Sequence, residues 1–125
     1  MRTPLVAGNW KMNGLRADAA QLARAVAMGA GDFRHIEILL CPPFTVLETV
    51  AGALQGSALH CGGQNAFWET HGAYTGETSA EMLRDAGCSH VILGHSERRQ
   101  IFAETDDMVT RKVHAARRAG LIPLL

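Results

Sequence analysis

One histidine closely follows a short apolar run, from which a single glycine separates it, in the segment Val91-Ile92-Leu93-Gly94-His95. The apolar run predicts a buried strand that Gly94 terminates. Ser96 and Glu97 come next, and a serine followed by an acidic residue is typical of the start of a helix. His95 is therefore expected between a strand end and the positive end of a helix, which disfavours a charged imidazolium. A neutral imidazole there can donate a hydrogen bond to a carbonyl oxygen that gains negative charge. The alternative is a core histidine with a satisfied partner.

A second segment, from Leu5 to Gly14, has the same organisation. A short apolar run is again followed by glycine and then by polar residues. Asn9 and Lys11 are two residues apart, so on an extended segment they project to the same side. A lysine at a strand end can bind a phosphate or neutralise developing negative charge. Taken alone, Lys11 fits a solvated surface lysine equally well.

Strand and helix signals alternate along the chain. Strands are predicted over residues 5–9, 36–40, 58–61 and 90–93, with a fifth beginning at residue 121. Apolar residues at helical spacing predict helices between them, and Thr78 with Glu81 predicts a capping box for a short helix that stops at Gly87. Such alternation indicates an α/β fold with parallel strands and helical crossovers. The pattern alone fits an open doubly wound sheet as well as part of a barrel.

Composition excludes several classes of function. The formal net charge is zero and no basic run is present, which argues against a nucleic-acid partner. No apolar stretch approaches the length of a membrane span. The arginine and lysine pairs, Arg111-Lys112 among them, are expected on solvated helix faces. Cys41, Cys61 and Cys88 are odd in number and widely spaced, which favours a reducing cytoplasm and excludes a zinc-ligand pattern.

Five ordered blocks of sequence resemble the triosephosphate isomerase family. These are GNWKMNG at 8–14, CPPF at 41–44, GQN at 63–65, GAYTGE at 72–77 and VILGHSERR at 91–99. The resemblance covers essentially the whole chain. It implies the N-terminal half of a TIM (β/α)8 barrel: residues 1–125 would form a single half barrel of four βα units plus one strand, incomplete at its C-terminus.

The resemblance also implies an activity and roles for named residues. The family interconverts dihydroxyacetone phosphate and glyceraldehyde 3-phosphate through an enediolate, a step shared by glycolysis and gluconeogenesis, without a metal or cofactor. His95 and Lys11 would be catalytic, Asn9 and Lys11 would bind the substrate, and Ser96 and Glu97 would support them.

The long loop from 62 to 77 would, by the same resemblance, leave its own subunit and insert beside the active site of a partner in a homodimer. Thr75 would contact the partner there, and Glu77 would pair with Arg98 across the interface. A mobile surface loop is the alternative.

The catalytic base of the family lies in the half of the barrel that has no counterpart here. We therefore expect the 125-residue chain alone to lack turnover. Glu97 and Glu104 are the substitutes to consider, but Glu97 matches a position near the lysine, and Glu104 is expected to be solvated or at an interface. The alternative function is a non-catalytic half-barrel module that associates with a second copy or with the missing C-terminal half.

Overall fold

The computed structural model describes residues 1–31 and 33–125, which form one parallel sheet with helical crossovers. The strands follow chain order across the sheet: β1 (Leu5–Asn9), β2 (Glu37–Cys41), β3 (His60–Gly63), β4 (His90–Ile92) and β5 (Ile122–Leu124). Every neighbouring pair is parallel. The predicted α/β class and strand orientation are thus confirmed.

Within residues 1–31 and 33–125, five α-helices connect the strands: α1 (Arg16–Ala30), α2 (Leu47–Ala53), α3 (Ala80–Asp85), α4 (Ser96–Ile101) and α5 (Asp106–Arg118). A 3-10 turn, Phe44–Val46, precedes α2 and follows the two prolines after β2. In the described part of the chain, no helix combines the length and the apolar character needed to span a bilayer.

The core lies between the helices and one face of the sheet. Leu40, Cys61 and Val91 supply the strand side of this core and are at most 5% exposed. Ala23 of α1, Val50 of α2 and other small or branched residues supply the helix side. Because side chains alternate along a strand, the intervening residues of the same strands lie on the opposite face. That second face and the carboxyl ends of the strands carry the polar residues discussed below.

The structure corrects two boundaries. Strand β3 lies two residues later than predicted and includes Gly62 and Gly63. Helix α3 is capped by Ser79, whose Oγ accepts a hydrogen bond from the Met82 N–H at 3.0 Å, so the prediction of Thr78 as the cap was wrong by one residue. The carbonyl of Thr78 instead accepts a bond from the Phe67 N–H and closes the long loop.

Candidate active site

The turn after β4 places the His95 imidazole at the start of a helix. Gly94 adopts a left-handed φ of 66°, a conformation that glycine reaches without steric strain, and the chain turns directly into α4. His95 itself is the N-cap: its Nδ1 accepts a hydrogen bond from the Glu97 N–H at 3.1 Å. Helix α4 begins at Ser96, as the serine and the acidic residue after it predicted, and the imidazole of His95 occupies the capping position.

This capping contact determines which imidazole nitrogen carries the proton. A backbone N–H can only donate, so Nδ1 must be unprotonated to accept from Glu97. A neutral ring then holds its proton on Nε2, which makes Nε2 a hydrogen-bond donor. The local backbone thus selects the tautomer needed to stabilise an oxyanion.

Lys11 occupies a strained backbone position just beyond the end of β1. Its φ is 55°, in the left-handed region that costs a residue with a Cβ about 1 kcal/mol or more. The predicted extended geometry, with Asn9 and Lys11 side by side, was therefore wrong. The two residues are joined differently, since the Lys11 N–H donates to the Asn9 Oδ1 at 3.0 Å.

Gln64 holds the carbonyl group of the same residue. Its Nε2 donates to the carbonyl oxygen of Lys11 and to that of Cys41, each at 2.9 Å. One amide side chain after β3 thereby ties the strained lysine to the end of β2. No role was predicted for Gln64 itself. Two signals were present: the GQN block at 63–65, and a position three residues after the predicted third strand, at the edge where polar residues of parallel strands converge.

The two catalytic segments meet through an ion pair. Lys11 Nζ lies 2.6 Å from Glu97 Oε1, and the Glu97 carboxylate also lies 3.7 Å from His95 Nδ1. The hydrogen bond from the Lys11 ammonium is the main reason that the pKa of Glu97 lies below its ordinary value. Glu97 is consequently a charged carboxylate that orients Lys11 beside His95.

An open cavity of about 380 Å³ lies over these groups. This volume falls within the range of about 300–1,000 Å³ typical of small-molecule sites. Its lining includes Asn9, Lys11, His95 and Glu97, together with apolar Leu83 and Phe102. Residues from the ends of β1, β3 and β4 thus converge on one concave surface.

Glu104 lies beneath this surface. The prediction that it is solvated or at an interface was therefore wrong. The residue is 6% exposed; its Oε1 accepts from the Gly94 N–H at 3.2 Å, and its Oε2 accepts from Arg98 at 2.7 Å and from Lys112 at 3.0 Å. Burial alone would raise the pKa of Glu104, but the hydrogen bonds from Arg98 and Lys112 outweigh burial and lower it. Glu104 therefore fastens the turn before His95 to helix α5.

Lys112 is also buried, which corrects its assignment to a solvated face. Its residue exposure is 5%, and its Nζ donates to Asn65 Oδ1 at 2.8 Å as well as to Glu104. The sequence held a signal for this burial, since Lys112 lies three residues after Val109 and four before Ala116 on the apolar face of the predicted helix.

The remaining predicted site residues lie at the rim. Ser96 is exposed at the first position of α4. Thr75 and Glu77 are exposed on the long loop, and the Glu77 N–H donates to the Tyr74 carbonyl at 3.0 Å. Arg98 is half-buried and pairs with Glu104 of its own chain. The proposed contacts of Thr75, Glu77 and Arg98 across a subunit interface stay predictions.

Among the described residues, no group of three or more histidine, cysteine, aspartate or glutamate side chains could hold a metal ion. Cys41, Cys61 and Cys88 are free and buried. The ionisable side chains that line the cavity are His95, Lys11, Glu97 and Arg98.

Comparison with known proteins identifies a family. The family model for triosephosphate isomerase matches residues 4–125. A triosephosphate isomerase from Acidithiobacillus ferrooxidans is 53% identical over 125 residues, which are 100% of this chain and 49% of that relative. One from Herpetosiphon aurantiacus is 49% identical over 125 residues, 100% of this chain and 50% of the relative.

A solved structure extends the similarity to the fold. The crystal structure of triosephosphate isomerase from Bartonella henselae superposes with a TM-score of 0.91 at 47% identity, covering 98% of this chain and 50% of that one. The predicted half of a TIM barrel is thereby confirmed, and the chain spans about half the length of the relatives it matches. On the family model and these similarities, the chain belongs to the triosephosphate isomerase family.

Proposed function

We propose that this chain supplies the electrophilic half of a triosephosphate isomerase site, which interconverts dihydroxyacetone phosphate and glyceraldehyde 3-phosphate. The observation that carries the proposal is the contact between the Glu97 N–H and His95 Nδ1, because it leaves Nε2–H as a donor on a ring that lines the same cavity as Lys11. A neutral donor and a cation in one cavity suit an enediolate oxygen that gains charge during the reaction.

The proposed mechanism needs two kinds of group. A carboxylate removes the proton from the carbon next to the substrate carbonyl, and the negative charge moves to the carbonyl oxygen. His95 Nε2–H and the Lys11 ammonium stabilise that oxygen, and Asn9 fixes the Lys11 backbone through its Oδ1. Both stabilising groups are held in place before substrate binds, so little reorganisation is required in the transition state.

Glu97 is a poor candidate for the proton-abstracting base. It is the only carboxylate among the described residues that line the cavity. A general base works best when its pKa lies near the operating pH, whereas the Lys11 ammonium holds the pKa of Glu97 below its ordinary value. The base is therefore proposed to come from a second half barrel, and the 125-residue chain alone is expected to lack turnover.

The test is steady-state isomerase kinetics, first on this chain alone and then with a chain that supplies the second half of the barrel. We expect turnover only in the mixture. His95→Gln should lower the rate about 10²–10³-fold, the usual effect of losing one oxyanion donor. Lys11→Ala should damage both binding and rate. His71→Gln is the matched control, since His71 is exposed on the long loop. Equal rates for the His95, Lys11 and unmutated mixtures would remove these residues from the site.

A non-catalytic half-barrel module is the second candidate. Strands β1 and β5 form the two edges of the described sheet, and Val6 and Ile122 on them are 57% and 54% exposed. Unpaired edges and uncovered apolar side chains favour association with another chain. The intact mass of the protein separates the candidates: a mass near twice 13.5 kDa supports an isomerase, and a mass of 13.5 kDa with no restored turnover supports the module.

The assembly and location form part of the same proposal. We propose one half-barrel domain over residues 1–125 and a homodimer in which Thr75, Glu77 and Arg98 lie at the interface. The exposed loop from residue 69 to residue 77 is available for such a contact. A cytoplasmic location is supported by three buried cysteines that remain free thiols.

A further inference from the structure

Two histidines lie together at the amino-terminal end of the sheet, opposite the candidate active site. The imidazole rings of His60 on β3 and His90 on β4 have centroids 5.5 Å apart and are tilted by 54°. The register pairs His60 with Leu39 and His90 with Gly62, so both side chains lie on the same sheet face. We call His60 and His90 the histidine pair.

His90 is the more enclosed member of the pair. It is 2% exposed, and its Nδ1 lies 2.7 Å from the Ser89 Oγ. Its strand is hydrogen-bonded on both sides, with His90 next to Gly62 of β3 and Ile122 of β5. Water therefore has little access to stabilise a charged His90 ring. A positive charge on the His60 ring would also repel a positive charge on His90.

We propose that the histidine pair makes the β3–β4–β5 part of the sheet sensitive to acid: the folded chain disfavours a charged ring at His90, and acidification weakens β4. Strand β4 leads directly through Leu93 and Gly94 to His95. Loss of β4 would therefore also release the turn that positions His95. The effect requires only protonation of a histidine and does not depend on the proposed catalytic function.

Burial and the titratable neighbours of His90 determine whether stability rises or falls as the pH drops. Burial lowers the pKa of His90, His60 on β3 lowers it further, and Glu37 on β2 opposes them. From β5 the paired residue is the apolar Ile122. Since the unfolded chain takes up the proton first, stability is complete above about pH 6.5 and falls as the pH drops towards the lower pKa of the folded state.

The experiment follows the urea midpoint of the protein by tryptophan fluorescence between pH 8 and pH 5. We expect the midpoint to fall below about pH 6.5 and the fall to be smaller in His60→Gln and in His90→Gln. His114→Gln is the control, because His114 is exposed on α5 and should leave the fall unchanged. The ring C2–H resonance of His90, assigned by its loss in His90→Gln or by labelling, should titrate below pH 6.5.

Two outcomes would overturn the inference. One is an equally steep fall of the midpoint in His60→Gln and the parent protein. The other is a His90 resonance that titrates at or above pH 6.5. If His90→Gln does not fold, the His60→Gln comparison and the resonance titration of the parent protein still decide the question.

Discussion

Replacing Glu104 by glutamine tests whether the buried ion pair is what holds the turn before His95. Glutamine keeps the volume of the side chain and can still accept from the Gly94 N–H. It removes the negative charge from a position where Lys112 Nζ lies 3.0 Å away and the lysine side chain is 6% exposed. The substitution thus leaves a buried ammonium without its counter-charge.

The size of the effect follows from that burial. Removing one partner of a buried ion pair costs about 3–5 kcal/mol, and the retained hydrogen bonds favour the lower end. For a chain of this size, about 3 kcal/mol corresponds to a decrease in Tm of roughly 10 °C. Arg98 contributes less to the loss, since its side chain is 30% exposed and water can partly replace the carboxylate.

The assay is urea unfolding of Glu104→Gln, of Lys112→Met and of the double variant. Because the double variant leaves no fully buried charge unpaired, its free energy of unfolding should exceed the value expected from additive single losses by at least about 1 kcal/mol. Asp107→Asn is the control: its pair with Arg111 is largely exposed, so the change should be below about 1 kcal/mol.

The pH dependence of the stability difference between the parent and Glu104→Gln is a second test of the ion pair. Since the pKa of Glu104 is lowered in the folded chain, its contribution is fully present above the ordinary carboxyl range and is lost as the pH falls through the lowered value. The difference between parent and Glu104→Gln should therefore stay constant between pH 8 and pH 5. A change below about 1 kcal/mol, or strictly additive losses in the double variant, would refute the reasoning.

The parts of the fold that sequence reasoning predicted are those in which one local pattern dominates. The apolar runs before Asn9 and before Gly94 predicted strands β1 and β4, because no competing pattern occupies those segments. The alternation of strand and helix signals predicted the parallel class. The short strand β3 was displaced by two residues. Its sequence His60-Cys61-Gly62-Gly63 lacks the branched residues that mark strands elsewhere in this chain.

The sequence predicted that Asn9, Lys11 and His95 lie near one another, and all three line the cavity, but it did not predict the geometry that joins them. Sequence position brought His95 and Lys11 to the same end of the sheet. It could not show that Lys11 is left-handed, since that conformation depends on Gln64, which is 53 residues away. The buried carboxylate of Glu104 was missed for a related reason: its burial requires two cations from different helical segments, and such a pairing leaves no local signature.

Two further substitutions test local packing and capping by comparison with matched positions. Ser79→Ala should lower the free energy of unfolding by about 1 kcal/mol through loss of the α3 cap, whereas Thr78→Ala should change it little. Gly62→Ala should cost about 1–3 kcal/mol, because a Cβ there would lie 3.1 Å from the His90 carbonyl oxygen, a backbone atom that cannot rotate away. Gly52→Ala, with open space on α2, should be neutral or stabilising by up to about 1 kcal/mol. Urea midpoints measure all four variants, and a Gly62→Ala protein as stable as its parent would show that β3 and β4 can separate without cost.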